Sequence, residues 1–150
     1  MPKDKAPATD NVRIVLRGPD GQIKQERQLH NLIVTTGRDA IVEQLVGSPA
    51  IDTPSHMAVG TSGTAPAAGN TALGGELDRQ ALTSKTRSGN VLTMVGDFGA
   101  GDGTGAIQEA GIFNAASSGT LYARAVFSTI NKGADDSLEI TWDLTLSVSS

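Results

Sequence analysis

The amino-acid sequence predicts an all-β domain: an antiparallel sandwich, jelly-roll-like or a barrel, with one short helix near residues 37–46. Three observations predict it. Residues 137–148 alternate without a break, Leu138, Ile140, Trp142, Leu144, Leu146 and Val148 against Glu139, Thr141, Asp143, Thr145 and Ser147. A period of two sends one set to a core face and the other to a wetter face, and twelve such residues reach about 40 Å. Shorter alternating segments recur along the chain between turn signals, as antiparallel folds require. Only one window combines helical spacing with start and stop signals.

Taken in order, residues 1–10 (MPKDKAPATD) are polar, hold two prolines and are expected as a flexible or extended arm. Residues 11–17 put Val12, Ile14 and Leu16 on one face. Gly18, Pro19, Asp20 and Gly21 signal a turn, and residues 22–29 return with Ile23 and Leu29 in phase, completing a hairpin. Thr35 or Thr36 is suited to cap the helix, with Asp39 near its positive end. Ala40, Ile41, Gln44 and Leu45 fall on one side, and Gly47 and Pro49 stop it. Such a helix covers an open end or face of the sheet.

Residues 56–60 read as a strand and 60–70 as a loop of small residues. Gly74 and Gly75 argue against a long helix but leave one or two turns around 75–80. Residues 81–87 and 90–98 form a hairpin about Ser88, Gly89 and Asn90, with Leu92, Met94 and Gly96 opposite Val91, Thr93 and Val95. A glycine-rich loop follows at 99–105, then a strand at 106–113, a turn at 115–119 and a strand at 120–128. Its Leu121, Ala123, Ala125 and Phe127 alternate with Tyr122, Arg124, Val126 and Ser128, and residues 131–136 turn into the final strand. No linker divides residues 11–150, which are expected to form one β domain of a size that folds without staples.

The totals narrow the function classes. There is no Cys, hence no disulfide framework or thiol chemistry. Twelve basic against sixteen acidic residues leave a charge of −4, and aromatics are 3%. That is neither the footprint of a nucleic-acid binder nor a set of stacking platforms. No apolar run approaches about 18 residues, so no membrane span is expected, and the polar start carries no leader pattern. A cytosol-like compartment is the expectation.

Chemistry-bearing patterns are weak. The loop GAGDGTG lacks the Lys-Ser/Thr of a phosphate loop and a following helix. Asp97, Asp102, Asp135 and Asp136 form no complete calcium motif and read as solvated turn acids. His30 and His56 have no metal-ligand spacing, and Ser62 sits in no nucleophile elbow. No catalytic, cofactor-binding or metal residues are assigned, no cofactor is expected, and the chain does not read as an enzyme. Trp142 reads as a core anchor. The basic residues cluster early: Lys3 and Lys5 on the arm, Arg13, Arg17, Lys24 and Arg27 on the first hairpin. These six are the candidate partner contacts.

Several segments together resemble a known family: NLIVTTGRD at 31–39, HMAVGT at 56–61, TAPA at 64–67, TAL at 71–73, ELDR at 76–79, EAGIFN at 109–114, LYARAVF at 121–127 and the final strand. In that order they resemble small virion structural proteins of tailed bacteriophages, described as head decoration, cement or tail-fibre-like proteins, over roughly residues 11–148. The resemblance implies a β-rich, often jelly-roll-like domain working as a homo-oligomer, dimer or trimer, in the virion after assembly in the host cytoplasm. It implies the major capsid protein as partner, a position over joints between capsid subunits, and no catalytic residues. The alternative it leaves is a tail-fibre or baseplate component involved in host attachment.

Overall fold

The computed structural model describes residues 8–146. Among them the elements run β1 (Ala8–Arg17), β2 (Ile23–His30), β3 (Leu32–Ile33), α1 (Thr35–Glu43), a 3₁₀ turn (Gln44–Val46), β4 (His56–Gly60), β5 (Glu76–Ala81), β6 (Ser84–Ser88), β7 (Val91–Phe98), β8 (Gly105–Phe113), β9 (Leu121–Lys132) and β10 (Ser137–Leu146). They build two five-stranded antiparallel sheets. Sheet I has the order β2-β1-β10-β7-β6 and sheet II the order β3-β9-β8-β4-β5. Each keeps two edge strands, so of the expected architectures the chain adopts the sandwich rather than a closed barrel.

β10 is the centre of sheet I, paired with β1 on one side and β7 on the other. Its predicted alternation is realised: Leu138, Ile140, Trp142 and Leu144 are buried, with Trp142 fully so. They meet Val12, Ile14 and Leu16 of β1, Met94 and Phe98 of β7, and the inner residues of sheet II, among them Met57, Val59, Ile107, Ile112, Phe127 and Ile130.

The central strands of sheet II, β4, β8 and the first half of β9, are buried on both faces. The outer face of the sheet carries Ala58, Phe113 and Leu121, which form a second small core with Val34 and with Leu73 from the long connection between β4 and β5. That connection, residues 61–75, lies across the outer face as a strap. Helix α1 caps one end of the sandwich beside β9: a Cβ on Gly37 would collide with the Tyr122 carbonyl, so only glycine permits this approach.

The structure departs from several sequence expectations. The helix begins at Thr35 with Val34 as its N-cap and no capping side chain; the Thr36 hydroxyl donates instead to the Leu121 carbonyl, 2.8 Å. It tightens to 3₁₀ at Gln44, and Leu45, expected on the covered stripe, is exposed. Residues 76–81 are strand, not helical turns, because β4 offers them a ladder from His56↔Ala81 to Gly60↔Glu76; tertiary pairing overrides local preference. A bulge between Leu16 and Arg17 shifts the β1–β2 register, so Ile23 is exposed rather than in phase with Leu29. β9 continues to Lys132. Leu146, at the end of β10, is half exposed. Ala8, Thr9 and Asp10 pair with Leu146, Thr145 and Leu144, so the strand takes in the last part of the expected arm. The expectations for Lys3, Lys5 and Val148 lie outside the described residues.

Candidate interaction surfaces

The basic residues of the first hairpin do not converge. Arg13 Nε meets Glu26 Oε2 at 2.9 Å on the outer face of sheet I. Arg17 donates to the Gly21 carbonyl at 3.1 Å. Lys24 Nζ holds both carboxylate oxygens of Asp136, 3.0 and 2.9 Å. Arg27 lies on the inner side of its edge strand, opposite Ile14. It reaches across to sheet II, where Nε donates to Ser128 Oγ (2.8 Å) and Nη2 to the Thr129 carbonyl (3.2 Å). Arg13, Arg17 and Lys24 thus remain near solvent, each with an intrachain bond, while Arg27 joins the sheets.

Asp136 is not the solvated turn acid that its setting suggested. It is buried, and Lys24 together with the Gly133 N–H, which donates at 2.8 Å, holds its carboxyl below the usual carboxylate range. Close by, Lys132 is buried with Nζ on the Gly99 carbonyl at 2.8 Å; burial pulls its ammonium below the ordinary lysine value, against the opposing pull of Asp102, Asp136 and Asp78. These groups brace the glycine-rich loop against the end of β9.

A second buried constellation fixes the strap. Glu109, fully buried on the outer face of β8, accepts the backbone N–H groups of Ser62 (3.0 Å), Gly74 (2.8 Å) and Gly75 (2.7 Å). Its Oε1 also pairs with Arg124 of β9, 3.0 Å from both Nε and Nη2, and Arg124 Nη1 continues to Asn70 Oδ1 at 3.2 Å. A buried carboxylate with this many donors is satisfied and has no capacity left for a ligand. The strap is therefore a fixed part of the body. Beside it, the Arg79 guanidinium lies 3.7 Å from the Phe113 ring centroid and closes that side of the second core.

The surface that lacks an intrachain explanation is the end of the helix. Val42, Leu45 and Val46 are 63%, 83% and 69% exposed. Spaced i, i+3 and i+4, they form one contiguous apolar knob. Next to it lies a groove of about 440 Å³ between Gln44, Pro49, Ile51, Asp52, Thr53 and Asn114. Its walls are tied in place: Gln44 Nε2 donates to the Ile51 carbonyl (2.6 Å), while Asn114 Nδ2 (3.0 Å) and Tyr122 Oη (2.7 Å) both donate to the Asp52 carbonyl. Lys85, from the edge strand β6, adds bonds to Thr53 Oγ1 (3.1 Å) and the Pro54 carbonyl (2.6 Å). The sequence pattern missed this surface because Leu45 was in phase with Ala40 and Ile41, and periodicity alone does not show that the helix end extends past the residues that cover its first turns.

His56 Nδ1 shares a 2.8 Å hydrogen bond with Ser55 Oγ, and His30 lies on edge strand β2. Among the described residues no group of three or more His, Cys, Asp or Glu side chains is placed to hold a metal ion, and no helix is long and apolar enough to cross a membrane. In comparisons with protein-family models, curated proteins and solved structures, no match to the chain is found.

Proposed function

We propose that the protein is a decoration, or cement, protein of a tailed-phage head, binding the outer surface at joints between major capsid subunits and stabilising the shell. The sequence resemblance supplies the virion setting. The observation that carries the protein-binding part is the apolar helix end, Val42, Leu45 and Val46, standing in water beside a preformed groove. Exposed apolar groups that are contiguous and rimmed by polar residues mark protein contacts.

The rest of the body suits that use. Its longest connection is clasped by Glu109, its sheets are bridged by Arg27, and Lys85 ties β6 to the segment that enters β4. A body already ordered loses little conformational entropy on docking, so more of its contact energy appears as affinity. A ligand that binds only the assembled shell stabilises that shell by mass action. The cations near solvent, Arg13, Arg17 and Lys24, are the contacts proposed for the shell, together with Lys3 and Lys5.

The test is made on virions and on heads lacking the protein. Copies in proportion to the major capsid subunit, and a rise in head melting temperature when purified protein is added back, are the expected results. Copies in proportion to tail components would move the protein to the tail. No binding to heads would overturn the proposal. Removing residues 2–7 and reversing Arg13 and Arg17 should each weaken head binding if the hairpin side faces the shell.

A further inference from the structure

We propose that residues 1–7 of this chain, which lie outside the described residues, fold back over the helix end, their apolar side chains on Val42, Leu45 and Val46 and their two lysines toward the acids around that patch. Where β1 begins, how far seven residues reach and which charges face the patch together carry it.

Helix α1 starts on the first residues of β9: the Thr36 hydroxyl donates to the Leu121 carbonyl, and the Val34 N–H to the Tyr122 carbonyl. β9 runs from there to Lys132, and β10 returns from Ser137 to Leu146, which pairs with Ala8. Ala8 therefore stands at the end of the sandwich that α1 caps. Seven extended residues reach about 23 Å. Against this, packed sheets lie about 10 Å apart, and the nine residues of α1 span about 14 Å. Pro7, just before β1, has no N–H to give a ladder, which favours leaving the sheet at that point.

The charges are complementary. The helix carries Arg38, Asp39 and Glu43, the groove carries Asp52, and Lys85 sits beside it, bonded to Thr53 and the Pro54 carbonyl. Asp39 and Asp52 are exposed, while Glu43 accepts the Ala50 N–H at 3.1 Å. Three acids stand against two bases there; residues 1–7 (MPKDKAP) set two bases, Lys3 and Lys5, against the single acid Asp4, among Met1, Pro2, Ala6 and Pro7. Residues 147–150 (SVSS) follow Leu146 at the same end but carry no charged side chain. A tether makes the contact intramolecular, at an effective concentration in the mM range, so a contact too small to hold a separate peptide is populated. On the reading given above, which assigns both the helix end and the two lysines to the shell, the fold-back competes with the shell, and the segment leaves the helix end as the protein attaches.

Two measurements on the full chain test the fold-back. Trypsin cuts after Lys5 when the segment is free. Leu45→Arg removes the centre of the patch and adds a like charge at a position 83% exposed, so the melting curve should be unchanged. Cleavage after Lys5 should then run at least about twofold faster than in the parent, the factor for freeing a contact populated half the time. The chain has no cysteine, so a nitroxide on Pro2→Cys reports position. It should broaden the amide signals of residues 42–46 more than those of Gly89 and Asn90, which lie at the same end beside Leu146, and L45R should remove the difference. Equal cleavage in the parent, in L45R and in a peptide of residues 1–10, or broadening no stronger at 42–46 than at Gly89, overturns the inference. So does broadening that appears only between a nitroxide-bearing chain and an isotope-labelled one, which would place the segment on a neighbour. If the segment folds back and the protein never binds heads, the inference stands and the proposed function fails. If the protein binds heads with the segment free in solution, the inference fails and the proposed function stands.

Discussion

Replacing Glu109 with alanine removes the strap's central anchor and leaves it only the bonds of Arg124 to Asn70, Gln108 to the Thr61 carbonyl and the Thr35 N–H to the Ala68 carbonyl. The carboxylate is fully buried and serves three backbone N–H groups and Arg124, whose own side chain is 3% exposed. With the strap kept closed, breaking a buried ion pair from one side costs about 3–5 kcal/mol. Each of the three orphaned N–H groups adds about 1–3 kcal/mol. Together these rival the whole stability of a domain, about 5–15 kcal/mol. The alternative is for residues 61–75 to lift and let water reach Arg124 and the N–H groups. That uncovers chiefly Leu73 and Phe113, at about 1.5–3 kcal/mol for each side chain. Opening is the cheaper response, so the expected global loss is about 3–6 kcal/mol with the sandwich otherwise intact. Hydrogen exchange should show residues 61–75 unprotected while β1 and β10 stay protected, and the urea midpoint should fall accordingly. Arg124→Met should cost less, because the carboxylate keeps its three N–H donors. Unchanged protection of the strap in E109A, with a stability loss under about 1 kcal/mol, would refute this account of how the strap is held.

Other substitutions test other parts of the framework. Trp142→Ala, at a fully buried site in the middle of β10, should lose about 3–5 kcal/mol in denaturant titration; a solvent-like fluorescence maximum for the native tryptophan would contradict its burial. Gly37→Ala drives a Cβ into the Tyr122 carbonyl, so α1 must shift off β9 at a cost of about 1–3 kcal/mol or more, and an unchanged melting temperature would show that the approach is not tight. For Asp136 the folded-state pKa is depressed, first by the hydrogen bond from Lys24 and then by the Gly133 N–H. Its stabilisation is present above the unfolded carboxyl value and is lost as pH falls through the folded one. Asp136→Asn should therefore be less stable than the parent at pH about 7 and approach it at pH about 2; a gap that persists in acid would show that the carboxylate charge is not what matters.

The parts of the fold legible in the sequence are those where one local rule governs. β10 alternates because one face meets the core and the other faces water, so Trp142 could be placed directly. The β6–β7 turn was legible because Gly89, at φ +59, needs the conformation glycine supplies. The centre of sheet II escaped the same rule because both of its faces are covered. From Leu121 to Ala125 every residue is buried, and alternation says nothing about a strand without a wet face. The readable trace of the Glu109–Arg124 pair was the single charge of β8 and a charge inside the apolar first half of β9, in a chain that also has a 15-residue small-residue connection to anchor. Partners 15 positions apart in the chain meet only through the β8–β9 register, Glu109↔Val126 and Gly111↔Arg124, which the sequence pattern does not specify. β5 was hidden for a related reason: Gly74 and Gly75 argued only against a long helix and left one or two turns around 75–80, and the ladder to β4 that makes the segment a strand is a long-range pairing.

The two edges of sheet I carry the same device in different residues. On β2, Arg27 turns to the inner side and bonds Ser128 and Thr129 of sheet II. On β6, Lys85 lies opposite Met94 on the core side and bonds Thr53 and Pro54, just before β4. The first crosses the seam between the sheets, the second ties its strand to the segment entering β4, and each also guards an edge. A strand from another molecule that added to β2 or β6 would have to bury a cation already committed to its own chain, or pull it out and leave its partners unsatisfied. Edge-to-edge growth is thereby disfavoured at both sides of the sheet that holds β1 and β10. Neighbours brought within reach of one another are thus kept from adding strands to either edge of sheet I, and a contact on that side of the domain falls to the outer face of the sheet rather than to its ladders.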